Sequence, residues 1–218
     1  MPPCPTLLVT GGIATGKSTF CRMLQTNRPE IAFFDSDACV HELLTRREVV
    51  EQIAASLGKD LQATDGSLDR TRTSALVFRD PGSRRVLEEI LHPMVRQACL
   101  QAQHQAETNP GIPFFVADVP LFYETGFPLV TALQIVIACG PQTQRQRLLA
   151  RSPHHDPHYI DSRLAAQLPI LEKVLRSHSV LWNGGDLSSL SQQTHLFLSW
   201  LNQKFPPPLS SSRKPPNR

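Results

Sequence analysis

Residues 11–18 of the chain read Gly11-Gly12-Ile13-Ala14-Thr15-Gly16-Lys17-Ser18, which matches the pattern G-x-x-x-x-G-K-[ST]. With an average glycine usage of about 7%, a chain of this length contains the pattern by chance on the order of 1% of the time. The apolar run TLLVT comes before the loop, and the helical pattern STFCRMLQ begins at its last residue. A loop that leaves a strand and opens a helix is the context that confirms this motif. The sequence therefore predicts a binding site for the phosphates of a nucleoside triphosphate.

The residue types in this phosphate loop follow from the chemistry of phosphate binding. Gly11 and Gly16 let the backbone wrap around a phosphate with its N–H groups pointing inward, and the helix that follows adds the positive end of its dipole. Lys17 supplies a positive charge for the β- and γ-phosphates, and the Ser18 hydroxyl is a ligand for Mg²⁺. An ordinary glycine-rich turn would not require Lys-Ser after the second glycine.

Five short apolar runs alternate with helical patterns along the chain. The runs are mostly continuous, which is typical of strands covered on both faces. Strands that alternate with helices predict an α/β fold with a five-stranded parallel sheet and right-handed crossovers. The predicted strands are 6–10, 31–34, 113–117, 132–139 and 179–182, and the predicted helices are 18–25, 38–57, 84–105, 142–151, 161–177 and 190–204.

Composition narrows the class of protein. The 218 residues are 40% hydrophobic and 19% charged, which suits one large domain with a packed core. No run approaches the roughly 18–20 apolar residues of a membrane span, and the N-terminus lacks the features of a signal peptide. Five cysteines without a Cys-x-x-Cys pair favour a reducing cytosol. A net charge of +3 is too small for a nucleic-acid-binding stripe and suits a small anionic substrate. We therefore expect a soluble cytoplasmic protein that binds neither nucleic acid nor a membrane.

The chain is expected to form a single domain over residues 1–205, followed by a disordered tail. The tail, residues 206–218, is rich in proline and serine and has few apolar groups to bury. Within the domain we expect a core formed by residues 1–37 and 112–205, a helical subdomain over about 38–111 and a lid over about 151–163.

Carboxylates follow the second and third predicted strands. Asp35 and Asp37 come directly after the second strand, and Asp118 ends the third. Ligands of parallel sheets collect beyond the carboxyl ends of the strands, where a carboxylate can order Mg²⁺ or accept a proton from an attacking hydroxyl. Two simpler roles stay open: Asp35 or Ser36 as the N-cap of the next helix, and Asp118 as the first residue of a turn.

A third polar segment lies between two predicted helices and contains arginines. Arg147 and Arg151 are four residues apart and share a helix face. A kinase needs cations that reach the transferring phosphoryl group and exclude water, and a polar loop containing proline suits such a lid. The alternative is a solvated basic face. The histidines nearby are expected to face solvent rather than to bind a metal, and they are His154, His155 and His158.

Further motifs make the chain resemble the dephospho-coenzyme A kinase family, which belongs to the nucleoside/nucleotide kinase branch of the P-loop fold. The resemblance extends from about Thr6 to Leu201, and the order of G-x-L-D-R, L-H-P and D-x-P-L-x-x-E is more specific than the phosphate loop alone. The motifs are FFDSDACVHELL at 33–44, DGSLDRTRTSALVF at 65–78, LEEILHPMV at 87–95, VADVPLFYE at 116–124, RLLAR at 147–151, Arg163 to Gln167, and WNGG at 182–185.

The resemblance implies a three-layer P-loop NTPase fold with a helical acceptor-binding subdomain and a lid. It also implies the reaction: with Mg²⁺, the γ-phosphoryl group of ATP passes to the ribose 3′-hydroxyl of dephospho-CoA, giving CoA and ADP, in the last step of coenzyme A biosynthesis. Ala14 stands where the family commonly has glycine, and His178-Ser179-Val180-Leu181-Trp182 replaces the usual Ala-Asp-x-Val-Ile before Asn183.

The resemblance assigns roles to residues. Asp37 would accept the hydroxyl proton, assisted by Asp35, while Lys17 and Arg151 would stabilise the transferring phosphoryl group. The ATP-binding residues would be Gly12, Ile13, Ala14, Thr15, Gly16, Lys17, Ser18, Thr19, Arg147, Asn183 and Gly184. The acceptor-binding residues would be Thr10, Asp37, Arg70, His92, Pro120, Leu121 and Arg163. Mg²⁺ would be held by Ser18 and Asp118.

Two alternatives stay open on the sequence. One is another small-molecule or nucleoside monophosphate kinase of the same fold, which has no need for the G-x-L-D-R and L-H-P elements. The other is an ATP-binding regulatory module without turnover, which intact Lys17, Ser18, Asp37 and Arg151 disfavour. We expect a monomer or a weak homo-oligomer.

Overall fold

The computed structural model describes residues 4–154 and 156–205, so the predicted tail and His155 lie outside the described residues. The chain divides into two compact units. Among the described residues, the first consists of 4–33 and 103–205, and the second of Phe34–Ala102.

A five-stranded sheet organises the first unit. The strand order is β2-β3-β1-β4-β5, and β1 pairs in parallel with β3 and β4, as β4 does with β5. The predicted parallel α/β sheet is therefore confirmed, with boundaries shifted by one or two residues. The strands are β1 (Thr6–Gly11), β2 (Ala32–Asp35), β3 (Phe115–Asp118), β4 (Leu133–Ala138) and β5 (Ser179–Trp182).

Ten α-helices accompany these strands in the described part of the chain. They are α1 (Lys17–Asn27), α2 (Ser36–Leu43), α3 (Arg47–Leu57), α4 (Arg70–Arg79), α5 (Pro81–Thr108), α6 (Phe122–Thr125), α7 (Pro141–Arg151), α8 (Pro157–Ala165), α9 (Ile170–Arg176) and α10 (Leu187–Lys204), with a short 3₁₀ turn at Lys59–Leu61. None of these helices is long and apolar enough to cross a membrane.

The central strands form the core of the first unit because helices cover both of their faces. All residues of β1 and β3 are buried, as expected for strands in the middle of a parallel sheet. On one face, α1 and α10 pack against the sheet, and the rings of Phe20 and Phe197 meet edge to face with centroids 5.9 Å apart. This packing fixes the first turn of α1 at the end of β1, where the phosphate loop lies.

The second unit corrects one helix prediction and adds a helix that was not predicted. The single helix expected over 38–57 is wrong: α2 ends at Leu43, and Arg46 is extended before α3 begins. The hydroxyl of Thr45 donates to the carbonyl of Glu42, which competes with continued helix. The added helix, α4, begins where Asp69 accepts a hydrogen bond from the Arg72 amide.

Proline divides the other mispredicted helix. The expected helix over 161–177 is instead α8 and α9, separated at Pro169, whose ψ of 137° lies outside the helical region. Asp156 caps the start of α8 by accepting from the amide of His158. Two short helices therefore replace the single predicted one. The segment between them contacts the phosphate loop.

Candidate active site

The phosphate loop connects β1 to α1 in a conformation that needs small residues. Gly16 has a φ of 94°, and Ala14 has a φ of 59°, so both adopt the left-handed region that favours glycine. A Cβ atom on Gly16 would collide with the side-chain amide of Asn183. The hydroxyl of Thr15 donates to the carbonyl of Gly12 over 2.9 Å and closes the loop on itself.

Three side-chain carboxamides hold this loop from outside. Gln144 donates to the carbonyl of Ile13 over 2.8 Å, and Gln167 accepts from the Ile13 amide over 3.0 Å. Asn183 donates to the carbonyl of Thr15 over 2.8 Å. Gln144 and Asn183 are buried, and a buried amide is stabilising only when it is hydrogen-bonded. The three contacts therefore fix the backbone on which phosphates would bind.

The ammonium of Lys17 forms a buried ion pair with Asp118. Its Nζ lies 2.5 and 2.7 Å from the two carboxylate oxygens, and the side chains are only 11% and 4% exposed. Pairing of β1 with β3 places Asp118 beside Val9, just before the phosphate loop. The thiol of Cys21 donates to the same carboxylate over 3.4 Å. The strand-end carboxylate and the loop lysine are thus brought together by the sheet register.

The donor set near this pair suits Mg²⁺. Ser18 lies exposed in the first turn of α1, next to Lys17 in the chain, and Asp118 supplies a carboxylate. Mg²⁺ usually takes one or two protein oxygens and completes its shell with substrate phosphates and water. Among residues 4–154 and 156–205, no group of three or more His, Cys, Asp or Glu residues could hold a metal ion, and the lid histidines that are described belong to no such group.

A cleft of about 160 Å³ opens beside the start of α1. Five residues that were predicted from the sequence to contact ATP line this cleft. The predicted Gly184 does not line it, but the neighbouring Gly185 does. The Arg147 guanidinium donates to the carbonyl of Gly185 over 3.2 Å. Leu187 and Leu190 add an apolar wall. The five residues are Gly16, Thr19, Arg147, Arg151 and Asn183.

Helix α7, which ends where the predicted lid begins, and helix α8, most of which lies within that lid, pack on the phosphate loop. The methyl group of Ala14 lies in an apolar cluster with Leu148 and Ile160. Outside that cluster, Arg145 and Asp161 join the two helices through an ion pair of 2.7 Å. The exposed Arg163 stacks its guanidinium over the Tyr159 ring at 5.9 Å.

Residues after β3 contact the end of β1. The hydroxyl of Thr10 donates to the carbonyl of Pro120 over 3.0 Å, so two predicted acceptor-site residues meet here, and Leu121 is half-buried at the start of α6. The ammonium of Lys173, which the sequence analysis did not single out, also reaches this carbonyl. Burial lowers the pKa of Lys173, and the adjacent Glu124 carboxylate counteracts part of this effect.

The second unit contains the remaining predicted residues. Asp35 caps α2 by accepting from the Ala38 amide over 2.9 Å, while Asp37 is exposed in the first turn of that helix. Arg70 donates to the carbonyl of His41 over 3.4 Å, at the other end of the same helix. His92 is half-buried on α5. Within this unit, α2 and α4 therefore place Asp37 and Arg70 on neighbouring elements.

A family model described as dephospho-CoA kinase matches residues 6–189. The chain belongs to the dephospho-CoA kinase family. A dephospho-CoA kinase of Symbiobacterium thermophilum is 40% identical over 186 residues, which cover 85% of this chain and 76% of the relative. That of Anaeromyxobacter dehalogenans is 36% identical over 192 residues, covering 88% and 89% of the two chains.

Solved structures give the same fold. The dephospho-CoA kinase from Campylobacter jejuni superposes with a TM-score of 0.66 at 24% identity, covering 91% of this chain and 98% of that one. The resemblance stated from the sequence and the expected P-loop kinase fold are confirmed. Membership of the dephospho-CoA kinase family makes the chain a kinase enzyme that binds ATP, and it does not favour the two alternatives left open by the sequence.

Proposed function

We propose that the chain transfers the γ-phosphoryl group of ATP to the ribose 3′-hydroxyl of dephospho-CoA, giving CoA and ADP. The match of the dephospho-CoA kinase family over residues 6–189 carries this proposal. Five cysteines without a disulfide are compatible with a reducing cytoplasm as the place of reaction.

On the nucleotide side, the backbone of residues 12–19 would hold the phosphates. The positive end of α1 and the Lys17 ammonium both favour anions there. The cleft with Arg147 and Asn183 would take the adenine, because it offers an apolar wall and polar groups beside the phosphate loop. Its position at the start of α1 supports this assignment.

Mg²⁺ would be held by Ser18 and Asp118, together with the phosphates of ATP. When bound, Mg²⁺ neutralises charge that develops on the β- and γ-phosphate oxygens. Lys17, which pairs with Asp118, would also contact the phosphates, and the carboxylate would then orient the lysine. Arg151, which lines the cleft, would add a cation from the lid and exclude water from the transferring group. Arg163 would help to bind the acceptor.

On the acceptor side, Asp37 would accept the proton of the attacking hydroxyl. The N-cap contact of Asp35 with Ala38 supports this choice, because it engages the Asp35 carboxylate while Asp37 has its carboxylate exposed. Arg70, His92, Thr10, Pro120 and Leu121 would bind dephospho-CoA. Phosphoryl transfer depends mainly on positioning and charge neutralisation, which these groups supply.

The decisive experiment measures CoA formed by the purified chain from ATP, Mg²⁺ and dephospho-CoA, with a nucleoside monophosphate as the control acceptor. We expect CoA from dephospho-CoA and no phosphorylation of the control. Lys17→Met should abolish product, whereas Lys59→Met, which removes an exposed lysine, should not. Phosphorylation of the nucleoside monophosphate instead would reassign the acceptor, and ATP binding without product from either acceptor would refute the proposed reaction.

A further inference from the structure

Lys173 is a lysine with no exposed surface, on the buried face of α9. Its Nζ donates to the carbonyl of Gly11 over 3.2 Å and to the carbonyl of Pro120 over 3.0 Å. The third partner is a carboxylate oxygen of Glu124 at 2.6 Å. An ammonium has three N–H donors, and each of them has a partner here.

The two carbonyls belong to different segments of the first unit. Gly11 is the last residue of β1 and the first residue of the phosphate loop, whereas Pro120 follows β3 and precedes α6. The hydroxyl of Thr10 donates to the same Pro120 carbonyl. Lys173 therefore joins the start of the phosphate loop to the segment after Asp118 through one buried group.

The Glu124 carboxylate supplies the counter-charge that stabilises the buried ammonium of Lys173. Its Oε1 atom accepts from Lys173 and from the Leu168 amide over 3.1 Å, and Leu168 adjoins Gln167, which holds the Ile13 amide. A buried charge without a partner is strongly destabilising. Burial still lowers the pKa of Lys173, yet the amine keeps N–H donors in either protonation state.

We propose that Lys173 is a positioning residue, which sets the spacing between the phosphate loop and the Pro120–Leu121 segment and thereby aligns the phosphoryl donor with its acceptor. This inference rests on the proposed function, in which Pro120 and Leu121 bind dephospho-CoA. In-line transfer requires the reacting atoms in near-attack geometry, and a misplacement of about 1 Å can lower the rate about 100-fold. Lys173 touches neither substrate in this scheme and acts through two backbone carbonyls.

Three variants separate positioning from simple stabilisation. Lys173→Met/Glu124→Gln removes all the Lys173 donors without leaving an unpaired buried charge. Glu124→Gln keeps the lysine donors to Gly11 and Pro120 and removes only the ion pair. Glu172→Gln removes an exposed ion pair with Arg176 on the same helix and serves as the matched control.

Hydrogen–deuterium exchange tests without an acceptor whether Lys173 supports these two segments locally. Peptides covering residues 11–16 and 119–122 should exchange faster in the double variant, because amides such as that of Val119, bonded to Val9, lose their support. We expect little change in Glu172→Gln, and in Glu124→Gln a smaller rise than in the double variant, because the lysine donors remain although the buried ammonium loses its counter-charge. A uniform rise that includes α10 would mean that Lys173 only stabilises the fold, and it would overturn the inference.

Kinetics at a temperature equally far below each variant's Tm complete the test. In the double variant we expect kcat to fall by about 10- to 100-fold, and a larger share of ATP to be hydrolysed without transfer. If the folded double variant kept the wild-type kcat and the wild-type ratio of ATP hydrolysis to phosphoryl transfer, the positioning role would be refuted. Failure of the wild-type chain to phosphorylate dephospho-CoA would refute the proposed function alone, since the exchange pattern still decides whether Lys173 holds these two segments locally.

Discussion

The Nζ atom of Lys17 lies 2.5 Å from one carboxylate oxygen of Asp118 and 2.7 Å from the other. Both side chains are almost fully buried, so the pair is weakly screened by solvent. One carboxylate at the end of β3 thus contacts the charged residue of the phosphate loop.

Asp118→Asn is expected to raise the Mg²⁺ concentration that half-saturates the enzyme by about 10- to 100-fold. The amide still accepts from Lys17 but no longer carries the charge that orders the metal. A titration of CoA formation with Mg²⁺ checks this, with circular dichroism to confirm folding. An unchanged Mg²⁺ dependence would limit Asp118 to holding Lys17.

Asp37→Asn is expected to lower kcat by about 10²- to 10⁴-fold with little change in the KM for ATP, because the asparagine cannot accept the hydroxyl proton. Asp35→Asn is the matched comparison, since asparagine caps a helix as well as aspartate does. The Asp35 variant should therefore lose much less activity. Equal losses in both variants would point to a shared structural role at the start of α2.

Asn183→Asp is expected to raise the KM for ATP by at least about 10-fold, because a carboxylate facing the Thr15 carbonyl leaves a buried charge without a donor. Gln193→Glu is the control. The Gln193 amide also donates to a backbone carbonyl, that of Trp182, but it is not buried. Its variant should bind ATP like the wild type, and a similar loss in both would show that the effect is general.

Cys99→Ala is expected to change how stability depends on alkaline pH. Burial raises the pKa of the Cys99 thiol from 9.0 to about 12, and the neighbouring Cys39 thiol adds to the rise. A folded-state pKa above the unfolded value contributes stability that is fully present below pH 9.0 and is lost as the pH rises toward about 12.

Urea unfolding at several pH values checks this prediction. The difference in free energy of unfolding between wild type and Cys99→Ala should be largest below pH 9.0 and should shrink at higher pH, by at most about 1.4 kcal/mol per pH unit. Other buried thiols, such as that of Cys139, titrate alike in both proteins and cancel in the difference. A constant difference would mean that the variant only leaves a cavity.

Patterns of apolar residues predicted the sheet well because the central strands are buried on both faces. The run TLLVT became β1, and Asp118 was correctly recognised as a strand-end residue. Helix ends were less predictable, because the break near Thr45 depends on a side-chain hydrogen bond to the backbone. Pro169 was a visible signal for the break between α8 and α9, but the predicted helix ran across it.

The polar residues of the site also differed in how well the sequence predicted them. Lys17, Asp118 and Asn183 belong to motifs, so the sequence identified them. Gln144 and Lys173 belong to no motif and lie on buried helix faces, where periodicity expects apolar residues. The only sequence signal for Lys173 was its position three residues after Ile170, on the same face, and its partner Glu124 lies too far along the chain to be paired with it by pattern.

In the phosphate loop, the residues that fix the backbone geometry differ from those that supply the positive charge. Gln144, Gln167 and Asn183 shape the loop with uncharged groups that neither gain nor lose protons at ordinary pH. The attraction for phosphate comes from Lys17, which is largely shielded from solvent, and from the dipole of α1, which salt screens. Ionic strength can therefore alter how strongly the nucleotide is held, while the shape of the loop that binds it stays the same.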